Sequence, residues 1–295
     1  PALVHQPADV LKDEFNGEAT ASKLARVREQ MEKEEAQYHI ISTLDDIAWI
    51  LNVRGNDIPH VPVVLSFLVI GKEDAMWFVE ENALSDAVKE MAAECGITIR
   101  PYEDVYAYAA TIPEHSTVLD KRKVNYRITN ALSETVHIVS KANPSQLMKA
   151  IKNEIELENT RKAHLLDGIA VTKFMYWLKK NAGKIEMSEM SVQSKLQVLR
   201  SEQENYLEDS FDTICAYKEH AAMMHYSSKP ETNAEITNSG MLLIDSGGQY
   251  LEGTTDITRT FVLGDISEEE RYWFTKALRG HIRLSDAHFL FGCSG

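Results

Sequence analysis

Residues 241–264 read MLLIDSGGQYLEGTTDITRTFVLG. An apolar run ends on Asp245, three glycines (Gly247, Gly248 and Gly253) loosen the backbone, and a second β-branched run starts after Asp256. Two strands joined through glycine-softened turns read as an antiparallel hairpin. The two acids are eleven positions apart, an odd separation that lets them sit directly opposite each other. Opposed residues project from one face of a sheet, with Cβ atoms about 4.5–5.5 Å apart. Two ionised carboxylates that close repel unless a cation lies between them. Paired catalytic metals sit roughly 3.5–4 Å apart, within the span of two facing carboxylates. Hard oxygen donors favour a metal such as manganese. The spacing alone leaves a plainer alternative open, in which Asp245 serves a turn and Asp256 caps a strand end.

Working outward, helical and strand periodicities divide the chain. Residues 1–18 hold two prolines and mixed charge and read as an irregular leader. Over residues 19–142 short strands alternate with helices, which predicts an α/β domain with a mixed sheet. Its helices are expected at 20–36, 44–52 and 84–94, and its strands at 38–43, 61–70, 75–80, 97–101, 116–120 and 136–140. Pro144 and the lysines around it break the pattern and mark a domain boundary. Residues 143–295 then read as α+β. A long helix over 154–181 presents Ile155, Leu157, Leu165, Ile169, Val171, Phe174, Trp177 and Leu178 as its apolar face. A second helix follows near 188–201, with only weak capping options at Ser188. Four strand-like runs come next, at 210–217, 221–226, 241–251 and 256–264. A last helix over 267–287 opens on a capping box of Ser267 and Glu270.

Composition excludes several classes. The net charge of −14 argues against a general nucleic-acid surface, which needs clustered Lys and Arg. No run of 18 apolar residues is present, so no membrane helix is expected. Cys95, Cys215 and Cys293 are sparse and match no zinc spacing. They read as small buried residues of a reducing compartment, which places the protein in the cytoplasm.

The string DSGGQYLEGTTDITRT, residues 245–260, resembles the signature of the aminopeptidase P and prolidase family. LDDIAWILNVRGNDIPHVPVVLSF, residues 44–67, resembles the middle domain of three-domain aminopeptidase P proteins. NPSQLMKAIKNEIELENTRKAHLLDGIA, residues 143–170, resembles the start of their catalytic domain. The resemblance implies a creatinase-like α/β domain followed by the first, incomplete half of a pita-bread fold. It implies two divalent metal ions, manganese being the expected metal, with Asp245 and Asp256 as two of five ligands. FDTI at 211–214 and the His-Tyr pair at 225–226 resemble the segment that carries a substrate-holding His in that family. His225 is therefore expected to bind substrate and steady the tetrahedral intermediate as a catalytic residue. Arg54, in VRGNDIP, falls in a region that lies near the active-site mouth there, and reads either as substrate-binding or as an exposed loop residue.

The implied activity is metal-dependent removal of the N-terminal residue from peptides with proline second, and a homodimer is compatible with it. The family's other ligands belong to a glycine-rich His string and two later Glu residues, and no such string occurs here. The chain therefore reads as truncated at both ends and inactive alone. A prolidase or creatinase relative shares the hairpin and remains an alternative. So does a non-catalytic, peptidase-like protein-binding module, although retention of Asp245, Asp256 and His225 opposes it.

Overall fold

The structure, a computed structural model, describes residues 5–113, 116–119 and 124–293. It divides into two compact units: Pro1–Leu165 with Gln249–Thr254, and Leu166–Gly248 with Thr255–Gly295.

In chain order the first unit holds β1 (Asp9–Val10), α1 (Asp13–Asn16), α2 (Thr20–Lys33), β2 (Tyr38–Ile41), α3 (Leu44–Leu51), β3 (Val53–Arg54), β4 (Ser66–Gly71) and β5 (Ala75–Val79). It continues with α4 (Asp86–Glu94), β6 (Ile97–Arg100), α5 (Asp104–Ala109), β7 (Ser116–Leu119), α6 (Tyr126–Ala131), β8 (His137–Val139) and α7 (Pro144–Ala150). Six strands form a mixed sheet in the order β6-β5-β4-β2-β7-β8. β4 lies antiparallel to β2 and β5, while β5–β6, β2–β7 and β7–β8 are parallel. Helices cover both faces, as parallel pairings require. The side-chain alternation of β4 divides its residues accordingly. Leu68 and Ile70 pack with Leu24, Val27 and Met31 of α2 on one side. Phe67 and Val69 pack with Val105 of α5 and Ile128 of α6 on the other.

Three local expectations change. The leader is not irregular where it is described: Asp9 pairs with Arg54 and Val10 with Val53. Residues 1–4 of it lie outside the described residues, as does Asp120 at the end of the strand expected over 116–120. The strand expected from Val61 begins at Ser66. Pro62 lacks an N–H, and Asp57 instead ties the segment into a loop by accepting from the Leu65 N–H at 2.8 Å. Pro144 does not break structure but opens α7 at its first turn, where a missing N–H costs nothing.

The division between units falls inside α8 (Glu154–Asn181). The second unit continues with α9 (Glu189–Ser201), β9 (Tyr206–Asp209), β10 (Ile214–Tyr217) and β11 (Met241–Ser246). After β12 (Gly248–Tyr250) and β13 (Gly253–Thr254) come β14 (Ile257–Val262) and α10 (Glu268–Ser285). β10, β11 and β14 form an antiparallel sheet in that order. The run at 221–226 forms no strand; residues Lys218–Ala222 make a 3₁₀ turn instead. Ser188 and Ser191 close a full capping box on α9, a Ser standing where Glu or Gln is usual. Ser267 and Glu270 form theirs as expected.

The buried stripe of α8 in this unit is Asp167, Ala170, Phe174 and Leu178. Leu165 (65% exposed) and Ile169 (40% exposed), read from sequence as core, face outward. The stripe packs with Val192, Leu196 and Leu199 of α9 against Leu242, Ile244 and Phe261 of the sheet. Phe174 meets the Phe261 ring edge-on, with centroids 6.0 Å apart. Phe174→Ala is therefore expected to lower the unfolding free energy by about 3–5 kcal/mol. Leu165→Ala is expected to change it by less than about 0.5 kcal/mol. Urea titrations of the two variants measure both, and the reverse ranking would show that the wrong stripe faces the core.

Candidate metal centre

β11 alternates strictly. Leu242, Ile244 and Ser246 are buried, while Met241, Leu243 and Asp245 are half-buried on the opposite face. The buried side packs on α8 and α9. The other side is open, so an acid placed there keeps its hydration.

The hairpin register differs from the simplest expectation. Asp245 pairs with Thr258 on one side and with Ile214 on the other. Asp256 lies two residues before Thr258 and just outside β14, so it is a diagonal neighbour of Asp245 and not its opposite partner. Diagonal pairs in a regular ladder are about 7–8 Å apart, within reach of longer side chains or a bridging ion. The face is nonetheless shared. Thr255 is buried, Asp256 exposed, Ile257 half-buried and Thr258 exposed, which carries the alternation of β14 back through Asp256. The register follows from where the chain reverses: the turn falls at Leu251 and Glu252, one residue beyond the midpoint of the two acids. β12 and β13 carry the same register to the turn, pairing Gln249 with Thr254 and Tyr250 with Gly253.

The chain leaves the sheet at Gly247 under tight constraint. A Cβ there would lie 1.9 Å from the Thr255 carbonyl oxygen and 2.3 Å from Ser210 Oγ, so only glycine fits. Ser210 N–H donates to the Gly247 carbonyl at 3.0 Å, and its hydroxyl donates to the Thr255 carbonyl at 2.8 Å. The Gly248 N–H donates to Thr255 Oγ1 at 2.9 Å.

Beneath these residues lies an ion pair with both side chains fully buried. Arg200 donates from Nε to Asp167 Oδ1 at 2.6 Å and from Nη2 to Asp167 Oδ2 at 3.3 Å. Nη2 also donates to Ser246 Oγ at 3.1 Å. Thr255 Oγ1 donates to Asp167 Oδ2 at 3.0 Å.

Asp245 accepts a hydrogen bond from Thr258 Oγ1 at 2.7 Å. Asp256 is exposed. Neither acid supports the core. As a donor set they suit a divalent cation: two hard carboxylates on a common, hydrated face. They do not close a site, since among the described residues no group of three or more His, Cys, Asp or Glu could hold a metal ion.

His225 lies exposed in the turn that follows Lys218–Ala222. The loop around it is anchored on Glu189, the first residue of α9 and fully buried. Glu189 accepts from Tyr217 N–H at 2.7 Å, Ala234 N–H at 3.0 Å and the Tyr226 hydroxyl at 2.7 Å. Its Oε1 lies 2.9 Å from His220 Nδ1. The His220 ring stacks on Tyr226 with centroids 4.5 Å apart. His220, which has no recognisable motif, thus helps to fix the loop that presents its neighbour. Beside this turn, Lys218, Glu219, Ala221, Met241, Leu243 and Thr260 line a hollow of about 360 Å³ on the face that carries Asp245.

Arg54 is not an exposed loop residue. It sits in β3 and donates from Nη1 to the carbonyls of Ala48 at 2.8 Å and Val53 at 3.1 Å, a cation at the end of α3. Burial brings its pKa down to about 10, with Glu156 acting in the opposite sense. Of the cysteines, Cys215 is buried, Cys95 half-buried and Cys293 exposed, so the expectation of burial fails at Cys293. Burial pushes the Cys215 thiol far up, leaving it inert.

Residues 1–156 match the creatinase/prolidase N-terminal domain. The chain belongs to that family. Residues 158–294 match metallopeptidase family M24. Xaa-Pro aminopeptidase 1 of Dictyostelium discoideum is 38% identical over 93% of this chain and 44% of its own length. A probable Xaa-Pro aminopeptidase P of Neurospora crassa is 37% identical over the whole chain and 45% of its own length. The crystal structure of X-prolyl aminopeptidase from Caenorhabditis elegans, a cytosolic enzyme with a di-nuclear active site, superposes with a TM-score of 0.93 at 31% identity. That match covers all of this chain and 49% of the nematode protein. A Pyrococcus horikoshii prolidase shares the fold, with a TM-score of 0.66 at 21% identity over 88% of this chain and 70% of its own. The chain spans about half the length of the curated relatives it matches.

Glu189 carries a pH prediction. Burial alone would raise its carboxyl, but the four hydrogen bonds it receives outweigh that and hold it below its ordinary value of 4.5. A carboxylate depressed in the folded state adds stability above its unfolded pKa and loses it as pH falls through the folded pKa. The stability gap between wild type and Glu189→Gln is therefore expected to be widest near neutrality and to narrow below about pH 4.5. Urea unfolding at a series of pH values checks this; parallel profiles would mean that Glu189 binds its proton equally in both states.

Proposed function

We propose that this chain carries part of the active site of a cytosolic, metal-dependent aminopeptidase that removes the first residue from peptides with proline in second place. Support comes from relatives that are Xaa-Pro aminopeptidases and from the nematode enzyme's di-nuclear site. The observation that carries the reading is that Asp245 and Asp256 share the open face of the β11–β14 ladder and are not consumed in holding the fold.

On this reading Asp245 and Asp256 hold two divalent ions, manganese being the metal that their oxygen donors favour. Ions so held would polarise the substrate carbonyl and acidify a water molecule. The chain's own residues do the rest. Thr258 fixes the rotamer of Asp245 through its hydroxyl. His225, on a loop held by Glu189, donates a hydrogen bond to the oxygen on which negative charge develops. The open face leaves room for a peptide whose second residue has no N–H and a ring-fixed φ, and which ordinary strand-like recognition cannot bind.

The test is a manganese titration followed by loss of the free-ion electron paramagnetic resonance signal. Wild type is expected to bind weakly, since two carboxylates are a small part of a ligand set, and Asp245→Asn or Asp256→Asn to weaken binding about tenfold or more. Undiminished binding in the double variant would refute the assignment. In a protein of the relatives' full length, the same reading expects cleavage of Xaa-Pro-Xaa tripeptides over Xaa-Pro dipeptides; the opposite preference would favour a prolidase.

A further inference from the structure

We infer that the buried Asp167–Arg200 pair is a positioning device for the two metal-facing acids, acting through Ser246 and Thr255. This rests on the reading of Asp245 and Asp256 as ligands. Ser246 follows Asp245 in the chain, and Thr255 precedes Asp256. Both are buried, at 1% exposure each, and both are bonded to this one ion pair. A side chain in a strand points opposite to its neighbour. Anchoring Ser246 and Thr255 inward therefore turns Asp245 and Asp256 outward, and a common anchor sets the separation between them.

The pair is costly as mere packing. Two charges taken out of water are often replaceable by apolar residues with no loss of stability. Arg200 also leaves Nη1 buried without an acceptor among the described residues, a further cost. What an apolar replacement could not do is bond to two hydroxyls from the two ends of the hairpin. α8 supplies Asp167 and α9 supplies Arg200, so the rigid helical layer dictates where the glycine-rich segment begins and ends.

Groups that orient ligands from behind typically cost 10–100-fold in metal affinity when removed. Thr255→Val removes the hydroxyl with little change of shape, whereas Thr255→Ser keeps it. The double variant Asp167→Leu, Arg200→Met removes the anchor and keeps the core apolar. In manganese titrations of the whole chain, Thr255→Val and the double variant are expected to bind at least about tenfold more weakly, with Thr255→Ser near wild type. Thermal unfolding of each apoprotein is measured beside it, because a merely structural role would shift melting and leave the affinity of the folded protein alone. The inference is overturned if Thr255→Val and the double variant, both folded, bind manganese as wild type does while Asp245→Asn weakens it. If Asp245→Asn and Asp256→Asn leave binding intact, the ligand reading itself fails and the positioning role falls with it.

Discussion

The two-sidedness of β11 is the constraint on which the second unit depends. Leu242, Ile244 and Ser246 must face the helices, because that surface closes the core with Phe174 and Leu196. Side chains alternate with a period of two, so a slip of one residue would bury Asp245 and expose Ile244. The hydrophobic requirement of one face thus determines the chemistry of the other. Asp245 needs no interaction of its own to point outward; its neighbours decide for it.

Four acids show how the molecule divides its charge. Asp167 and Glu189 are fully buried, and each is surrounded by donors: an arginine and a threonine for one, two backbone amides, a tyrosine and a histidine for the other. Buried carboxylates persist only with such partners. Asp245 and Asp256 are exposed to water in different degrees, and among the described residues Asp245 accepts a hydrogen bond from one threonine. The first pair has its oxygens committed to architecture. The second presents its oxygens on the open face, where the proposed cation would meet them.

Much of this was legible in sequence, because periodicity and glycine placement are local. The mixed sheet of the first unit, the long α8 and the hairpin of β11 and β14 follow from alternation and helical spacing, and the family resemblance lies in the same strings. What local pattern could not supply was depth. On α8, Leu165 and Ile169 look more like core than Asp167 does, yet Asp167 is inside, because Arg200 from another helix neutralises it. The hairpin register failed for a related reason. Counting eleven positions assumes a reversal midway between the acids, whereas the pairing of Tyr250 with Gly253 puts it at Leu251 and Glu252, one residue later. His220 was unreadable because its partner is Glu189, thirty-one residues away. The one available signal was a charged residue at a position the helical period assigns to the core, at Asp167 and at Arg200.

The separation between the two faces has a consequence for how this surface can vary. Substitutions on the helix side of the sheet act through packing, where a lost methylene costs stability directly. Substitutions at Asp245, Asp256, Thr258 or His225 remove groups that water already solvates, and such changes usually cost little stability. A face whose residues carry little of the folding energy is free to be selected for what it binds. The exception is the row of residues that touch both worlds. Ser246, Gly247 and Thr255 are buried, and they join the sheet to the Asp167–Arg200 pair or admit no side chain at all. Stability and chemistry are coupled there, because the only residues able to aim the acids outward are those already committed to the core.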